Sequence, residues 1–248
     1  HGAYFGHSQH DEPGNANPNR NYNSPSVDLF FGPPDLLAAY YLTGERRFRD
    51  VALEGLEAML NLSQFSNFTN PAPYRERANL IFAYIEGYRQ TGDERWMTAM
   101  RDIVEKTADL SNKGWLESPV DYRQEGDWLS NFQFSQVMWT LGRYLDLCAE
   151  YGLPGDLDVA AALETYADFS LEWFLTEYTP GYAAAQSSYW FMDEGYEEYL
   201  EINTWALTMA DFLAFAHKHT GQRRFLDAAE MLYRTGATYP HWGKSDWD

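Results

Sequence analysis

Apolar residues recur along this chain with the period of an α-helix. One stripe has the i, i+1, i+4, i+5, i+8 spacing of a core-facing helix and consists of Leu80, Ile81, Tyr84, Ile85 and Tyr88. A second stripe follows it and consists of Trp96, Met100, Ile103, Val104 and Thr107. No long stretch alternates with period two. The pattern predicts eight helices, near residues 34–43, 46–61, 76–91, 93–110, 129–151, 156–175, 198–219 and 222–236.

Three segments repeat one helix–turn–helix pattern: AYYLTGERRFRDVALEGL (39–56), GYRQTGDERWMTAMRDIV (87–104) and AHKHTGQRRFLDAAEMLY (216–233). In each, an apolar helix reaches Thr-Gly, polar residues that include arginine follow, and an aromatic residue opens the next helix. The glycines Gly44, Gly92 and Gly221 are predicted helix stops, because glycine readily adopts the left-handed backbone at that position. A looser copy spans 148–166, with Gly152 as the stop and Asp156 as a candidate N-cap.

The connections between helices are of two kinds. Within each helix pair the turn is short, whereas the segments between pairs are long, near 62–75, 111–128 and 176–197, in addition to residues 1–33. Each long segment leaves the second helix of one pair and enters the first helix of the next. If the pairs stack in order, the long segments therefore gather at one end. Long irregular segments in compact domains are commonly functional.

Composition excludes several classes of function. A net charge of −19 argues against a nucleic-acid partner and disfavours a polyanionic ligand unless the local field differs from the global one. No window of eighteen apolar residues occurs, so no membrane span is expected. Cys148 is the only cysteine and lies in an apolar stretch, which predicts a buried, inert thiol. The chain begins at His1 without an initiator Met, so we expect a processed product or a fragment.

The helical pattern resembles that of the (α/α) toroids of carbohydrate-active enzymes, in which helical hairpins form an inner and an outer ring. The stretch DLLAAYYLTGERRFRDVALEGLEAM (35–59), which follows a segment containing His and Asp, resembles toroidal domains of polysaccharide lyases and related glycosidases. The resemblance implies an all-α fold in which residues 1–248 form a single toroid-like domain. The family ring usually has about six hairpins, whereas four are predicted here, so the toroid is smaller or open, or belongs to a longer chain. The resemblance also implies an extracellular or periplasmic location and a sugar bound where the long segments meet.

Polar and aromatic clusters lie in those long segments. The first contains His7, His10, Asp11, Arg20, Asn21, Tyr22 and Asn23. Asn and Arg donate to hydroxyls and carboxylates, while His or Tyr can exchange a proton, so this cluster is predicted to grip a sugar or uronate. The alternative is a polar, turn-rich lead-in. No helical HxxxH spacing supports a metal site at the histidines.

A second cluster, NPAPYRERAN, begins the third predicted helix with Tyr74, Arg75, Arg77 and Asn79. Asn79 lies one turn after Arg75, and a helix N-terminus favours an anion. The cluster is therefore predicted to bind carboxylate or hydroxyl groups. The alternative is that the two arginines pair with nearby acids.

Two further clusters combine acids with aromatic rings. Asp127, Trp128 and Asn131 suit a sugar subsite, since a sugar's apolar face stacks on indole; Asp127 as a helix cap is the alternative. The segment 187–205 contains Tyr189, Trp190, Asp193, Glu194 and Asn203, a density of acids and aromatic rings that suits a glycan site. The alternative is a solvated acidic face. No EF-hand spacing is present, and no cofactor is expected.

The favoured hypothesis is a polysaccharide lyase that cleaves a uronate-containing glycan by β-elimination. The predicted catalytic residues are His10, Tyr22, Tyr74, Asp127, Tyr189 and Glu194. The predicted sugar-binding residues are Arg20, Asn21, Asn23, Arg75, Asn79, Trp128, Asn131, Trp190 and Asn203. A glycoside hydrolase would instead use two carboxylates drawn from Asp11, Asp127, Asp193 and Glu194. A non-catalytic helical-repeat module, which binds glycan, further domains or copies of itself, is the third hypothesis.

Overall fold

The computed structural model describes residues 33–61, 75–111, 131–154, 157–179, 182–185 and 204–238. These residues form eight helices and one β-hairpin, which confirms the predicted all-α class. In chain order the elements are α1 Pro33–Thr43, α2 Arg46–Asn61, α3 Arg75–Thr91, α4 Glu94–Ala108, α5 Asn131–Glu150, α6 Leu157–Trp173, β1 Leu175–Thr179, β2 Tyr182–Ala185, α7 Thr204–Thr220 and α8 Arg223–Thr238. The predicted helix bounds agree to within two residues, apart from the predicted start of α7, since residues 198–203 lie outside the described part.

The predicted helix stops are confirmed. Gly44, Gly92, Gly152 and Gly221 have φ values of 71°, 66°, 62° and 73°, in the left-handed region that favours glycine. The preceding threonine supports the turn at three of the four sites. In the α3–α4 turn, for example, the Thr91 hydroxyl donates to the Gly87 carbonyl at 2.8 Å and accepts from the Asp93 amide at 3.2 Å. Thr43 and Thr220 make the same pair of bonds.

One boundary of the prediction is wrong. The apolar period predicts a sixth helix that reaches residue 175 and is followed by a loop, but the helix ends at Trp173, and Leu175 begins an antiparallel hairpin. Leu175 pairs with Ala185 and Thr176 with Ala184. The sequence LTEYTPGYAAA carries a Thr- and Tyr-rich run before Pro-Gly, which favours a strand followed by a turn and overrides the helical period.

The first helices of the four pairs, α1, α3, α5 and α7, lie side by side in one row. Their C-terminal ends are joined by polar contacts. Tyr41 Oη donates to Glu86 of α3 at 3.1 Å, Arg89 of α3 donates to Glu150 of α5 at 2.9 Å, and Lys218 of α7 donates to Asp146 of α5. The four helices therefore point in the same direction.

The opposite end of this row is called the rim. There α3, α5 and α7 begin and the returning helices α2, α4, α6 and α8 end. The first two internal long segments, 62–74 and 112–130, run from a helix end to a helix start at the rim, as predicted. The third differs from the prediction, because the hairpin β1–β2 follows α6 and the remaining segment 186–203 runs from β2 to the start of α7 at the rim. These three segments themselves lie outside the described residues. Among the described residues, the rim contains the helix starts at which the predicted site residues Arg75 and Asn131 stand.

The core lies between the row and the returning helices. Both predicted apolar stripes are buried, as are Leu37, Leu56, Phe134, Phe212 and Phe225.

Two glycines allow close helix approach. A Cβ at Gly87 would lie 2.7 Å from the Trp96 ring, and a Cβ at Gly142 of α5 would lie 2.8 Å from Phe215 Cβ of α7. Cys148 is buried, as predicted. Among the described helices none is both long and apolar enough to cross a membrane.

Candidate functional site

Three of the predicted site residues belong to helices that begin at the rim. Arg75 and Asn131 open α3 and α5, and Asn79 lies in the second turn of α3, where it is half-buried. The structure therefore brings these three to the same end of the molecule. The other predicted residues lie outside the described ranges and stay predictions: His10, Arg20, Asn21, Tyr22, Asn23, Tyr74, Asp127, Trp128, Tyr189, Trp190, Glu194 and Asn203.

Arg77 lies just below the rim rather than on it. Its side chain is only 2% exposed, so the charge is held inside the protein. It neighbours the Tyr166 phenol of α6, and its positive charge opposes the rise in the pKa of Tyr166. Burial is the larger effect and raises that pKa well above its ordinary value of 10.0, and Asp109 raises it further. The Tyr166 hydroxyl donates to the Thr107 carbonyl at 2.5 Å.

This group of Arg77, Thr107, Asp109 and Tyr166 is called the rim cluster. It joins the start of α3 to the end of α4 and the middle of α6. A phenol that is neutral and already donating to a carbonyl is a poor general base. The rim cluster therefore connects helix ends and contains a buried positive charge. Proton transfer would have to come from other residues.

A second group lies on the exposed side of the row of first helices. On α5, Gln136, Trp139 and Arg143 follow the i, i+3, i+7 spacing of a single helix face, and all three are half-buried. The guanidinium carbon of Arg143 lies 4.7 Å from the centroid of the Trp139 ring and 5.2 Å from that of Phe215. These distances are in the range of cation–π interactions.

Aromatic rings from the two flanking helices complete this group. Phe82 of α3 packs edge-on against Trp139 at 5.2 Å between centroids, and Phe215 of α7 packs against it at 6.5 Å. The group formed by Phe82, Gln136, Trp139, Arg143 and Phe215 is called the Trp139 cluster. It spans three neighbouring first helices, so it occupies the middle of the row.

Three polar atoms of the Trp139 cluster are buried and have no hydrogen-bond partner in the described part of the chain: Oε1 of Gln136, Nε1 of Trp139 and Nε of Arg143. A buried polar group left unpaired costs about 1–3 kcal/mol, and native proteins rarely carry several together. The two donors and one acceptor belong to residues spaced i, i+3 and i+7, so they lie on one helix face.

At the far end of the same row, His219 stacks on Phe215 with an interplanar angle of 11°. Its Nε2 lies 3.1 Å from Asp146 Oδ1, so these two groups form an ion pair only when the ring is protonated. Burial lowers the pKa of His219 below 6.5, and the neighbouring Lys218 lowers it further, whereas Asp146 raises it. The burial effect dominates, so the ring is neutral at pH 7.

Within the described residues no group of His, Cys, Asp and Glu side chains has the arrangement of a metal site. A cavity of about 450 Å³ between the end of α4 and the start of α6 is lined by Glu105, Asp109 and Asp158 together with apolar side chains. Its acidity repels an anionic ligand, in contrast to the Trp139 cluster.

No protein-family model matches the chain, and comparisons with curated proteins and with solved structures found no significant match. The resemblance to toroidal carbohydrate-active enzymes therefore rests on the helical-hairpin pattern alone. Because one fold hosts many functions, the side chains have to carry the functional proposal.

Proposed function

We propose that this protein is a carbohydrate-active enzyme that cleaves a uronate-containing polysaccharide by β-elimination. In this proposal the row of first helices is the inner wall of an (α/α) toroid or open toroid. The sugar chain lies along the Trp139 cluster and reaches the reacting residues at the rim. Cleavage of a polymer of this kind fits an extracellular or periplasmic location.

The Trp139 cluster is the observation that supports the proposal most. In this proposal a sugar ring stacks on the half-buried indole of Trp139, which Phe82 and Phe215 flank. Arg143 adds a cation beside that surface, where a uronate carboxylate would need one. In this proposal the two unpaired donors, Trp139 Nε1 and Arg143 Nε, pair with hydroxyl or carboxylate oxygens of the sugar, and the unpaired acceptor, Gln136 Oε1, pairs with a hydroxyl.

The charges near the Trp139 cluster are compatible with an acidic substrate even though the whole chain is acidic. The whole chain carries a net charge of −19, which disfavours a polyanion at long range. Arg143, however, forms no ion pair within the described residues, and its guanidinium is flanked by aromatic rings rather than by acids. Asp146, three residues after Arg143 on α5, is paired with Lys218. The field at the Trp139 cluster is therefore more positive than the average.

The proposed reaction needs three roles. A cation or amide holds the carboxylate and stabilises the enolate-like charge, and Arg20, Asn21, Arg75 and Asn79 are the candidates. A base removes the C5 proton, the C4–O bond breaks, and an acid protonates the departing oxygen, which leaves a C4–C5 double bond. His10, Tyr22, Tyr74 and Tyr189 are the candidates for the base and the acid, since imidazole and phenol can both exchange a proton.

A glycoside hydrolase on the same scaffold is the alternative that the acidity of the chain favours, because a neutral sugar would not be repelled. Asp11, Asp127, Asp193 and Glu194 would then supply the two carboxylates. In the third alternative, a non-catalytic module, the Trp139 cluster would bind glycan without cleavage.

The test is incubation of the full chain with a panel of uronate polymers, such as pectate, alginate and glycosaminoglycans, and with neutral glucans. β-Elimination produces an unsaturated uronide with a new ultraviolet absorbance, whereas hydrolysis releases reducing ends without it. Absorbance that grows with time supports the lyase. Reducing ends alone would replace it with the hydrolase, and binding without either signal would leave the non-catalytic module.

Two variants connect the signal to the proposed residues. Arg143→Gln removes the cation but keeps an amide, and we expect at least about a tenfold rise in KM for the uronate polymer, with little change in stability. Arg75→Ala should abolish turnover while leaving thermal stability nearly intact. Arg223→Gln is the matched control, because Arg223 is exposed at the start of α8 and pairs only with Asp227 and Glu230 among the described residues. Equal losses in Arg143→Gln and Arg223→Gln would contradict the assignment of the site.

A further inference from the structure

The edge formed by α1 and α2 exposes apolar side chains. Leu42 is 88% exposed and Val51 47% exposed, and the sequence of α1, PPDLLAAYYLT, is apolar around most of its circumference. A helix that is apolar all round is normally buried. On its other side α1 contacts α3, so the exposed side is the one that faces away from the row. This surface of Leu42, Arg47 and Val51 is called the α1–α2 edge.

The opposite edge of the described molecule carries a groove between α7 and α8 of about 420 Å³. Both walls show the i, i+3, i+4, i+7 spacing of a helix-packing face: Leu207, Ala210, Asp211 and Ala214 on α7, and Leu226, Ala229, Glu230 and Tyr233 on α8. Small side chains at the middle of each wall let another helix approach closely. The dimensions and composition therefore suit a helix as occupant.

The contacts between successive helix pairs within the chain indicate what kind of element packs into such a groove. At two of the three junctions the first helix of the following pair contacts both helices of the preceding pair: α3 contacts α1 and α2, and α7 contacts α5 and α6. The α7–α8 groove is the equivalent position on the fourth pair. A helix with the character of α1 is thus its natural occupant.

At two of the three junctions between helix pairs, the arginine that precedes the aromatic residue of the turn binds an acid on an earlier pair. Arg95 stands one residue before the aromatic Trp96 and donates to Glu57 of α2 at 2.7 Å. Arg224 stands one residue before Phe225 and donates to Asp168 of α6 at 2.8 Å and to Glu164 at 3.2 Å. Each of these arginines reaches back to the returning helix of an earlier pair.

Arg47 occupies the same position, one residue before Phe48, but its guanidinium forms no ion pair within the described part of the chain. The α7–α8 groove supplies the missing acid. Glu230 is the eighth residue of α8, as Glu164, the more distant partner of Arg224, is the eighth residue of α6. The twelfth position, which holds the acids Glu57 in α2 and Asp168 in α6, is occupied by Arg234 in α8, so Glu230 is the acid that α8 offers at this junction. Its present partners, Arg223 and Arg234, lie at 3.6 and 3.7 Å, so these pairs are loose and Glu230 is available to another arginine.

We propose that the α1–α2 edge of one copy of this protein docks into the α7–α8 groove of a second copy. Leu42 and its neighbours on α1 fill the groove, and Arg47 pairs with Glu230 of the second copy. The two surfaces differ, so the contact is heterologous and generates a closed ring of copies or an open filament. This association is independent of the proposed reaction.

Sedimentation velocity of the full chain over a wide concentration range tests the proposal. We expect the average mass to rise with concentration, and Arg47→Glu to raise the dissociation constant at least about tenfold by placing two like charges together. Leu42→Asp should have a similar effect through the apolar part of the contact. Both residues are exposed in the single copy, so circular dichroism and thermal melting should stay unchanged. Lys106→Glu makes the same change in net charge on the surface of α4 and is the matched control.

A mixing experiment identifies the pair directly. Arg47→Glu and Glu230→Arg should each fail to associate alone, because each brings like charges together. An equimolar mixture should regain association, since the introduced glutamate of one variant then meets the introduced arginine of the other, and the reverse contact is that of the natural chain. The proposal is overturned by a natural chain that remains monomeric at every concentration. It is equally overturned if Arg47→Glu and Lys106→Glu weaken association alike, or if mixing restores nothing.

Discussion

The close approach of α5 and α7 at Gly142 leads to a prediction about stability. Gly142 lies within α5, and a Cβ there would lie 2.8 Å from both Cβ and Cδ1 of Phe215. The Cβ of Phe215 is fixed by the backbone of α7, so a side-chain rotation cannot relieve the contact. Gly142→Ala must therefore push the two helices apart.

Two opposing effects set the magnitude. Replacing a glycine inside a helix by alanine gains about 0.5–1 kcal/mol from helix propensity. Overpacking a tight interface costs about 1–3 kcal/mol. The cost exceeds the gain, so we expect a net destabilisation of about 1 kcal/mol. For a chain of this size that corresponds to a fall in Tm of roughly 2–4 °C.

Urea unfolding followed by circular dichroism measures the change, and Phe215→Ala provides the second arm. In that background the contacts with the ring atoms of Phe215 are gone, so Gly142→Ala should cost less by about 0.5 kcal/mol or more, a coupling within the range of touching residues. A Gly142→Ala variant that is more stable than the natural chain would refute the close approach, because helix propensity would then be the only effect.

Three further predictions concern the turns and the titrating groups. Gly92→Ala should destabilise by about 1–2 kcal/mol in urea unfolding, because its φ of 66° is costly for any residue with a Cβ although no neighbour obstructs one. The lowered pKa of His219 means that the unfolded state binds more protons, so stability should fall as pH drops from about 6.5, and less so in His219→Gln. Burial raises the pKa of Tyr84 to about 12. The stability that the protonated phenol contributes to the folded state is therefore complete below pH 10 and is lost as pH rises from 10 to 12. Melting temperatures across that window should decline less steeply in Tyr84→Phe.

Local patterns are enough to predict most of the helical scaffold. The period of apolar residues locates the helices, and the Thr-Gly pairs locate the turns, because both depend on residues within a few positions of each other. The left-handed glycines at 44, 92, 152 and 221 are the clearest outcome of that reasoning. The apolar period does not predict the strand at Leu175, since the helical stripe of α6 runs up to that residue without a helix-stopping glycine.

The candidate site can be predicted only in part. Gln136, Trp139 and Arg143 carry the polar-aromatic signature of a binding face at helical spacing, but their significance depends on Phe82 and Phe215, which come from other helices. Such distant contacts leave no trace in a local pattern. Arg77 shows the opposite case: the sequence pattern groups it with the ligands at the rim, whereas its side chain is buried beside Tyr166.

Affinity of the Trp139 cluster for an acidic sugar is the central claim. The most direct measurement is a calorimetric titration of the natural chain and of Arg143→Gln with a uronate oligosaccharide and with its carboxyl-reduced, neutral counterpart. We predict that the natural chain binds the acidic form more tightly by about tenfold or more, the value of a charge-assisted hydrogen bond, and that Arg143→Gln loses this preference. Equal affinity for the two sugars, or a preference that survives in Arg143→Gln, would contradict the claim.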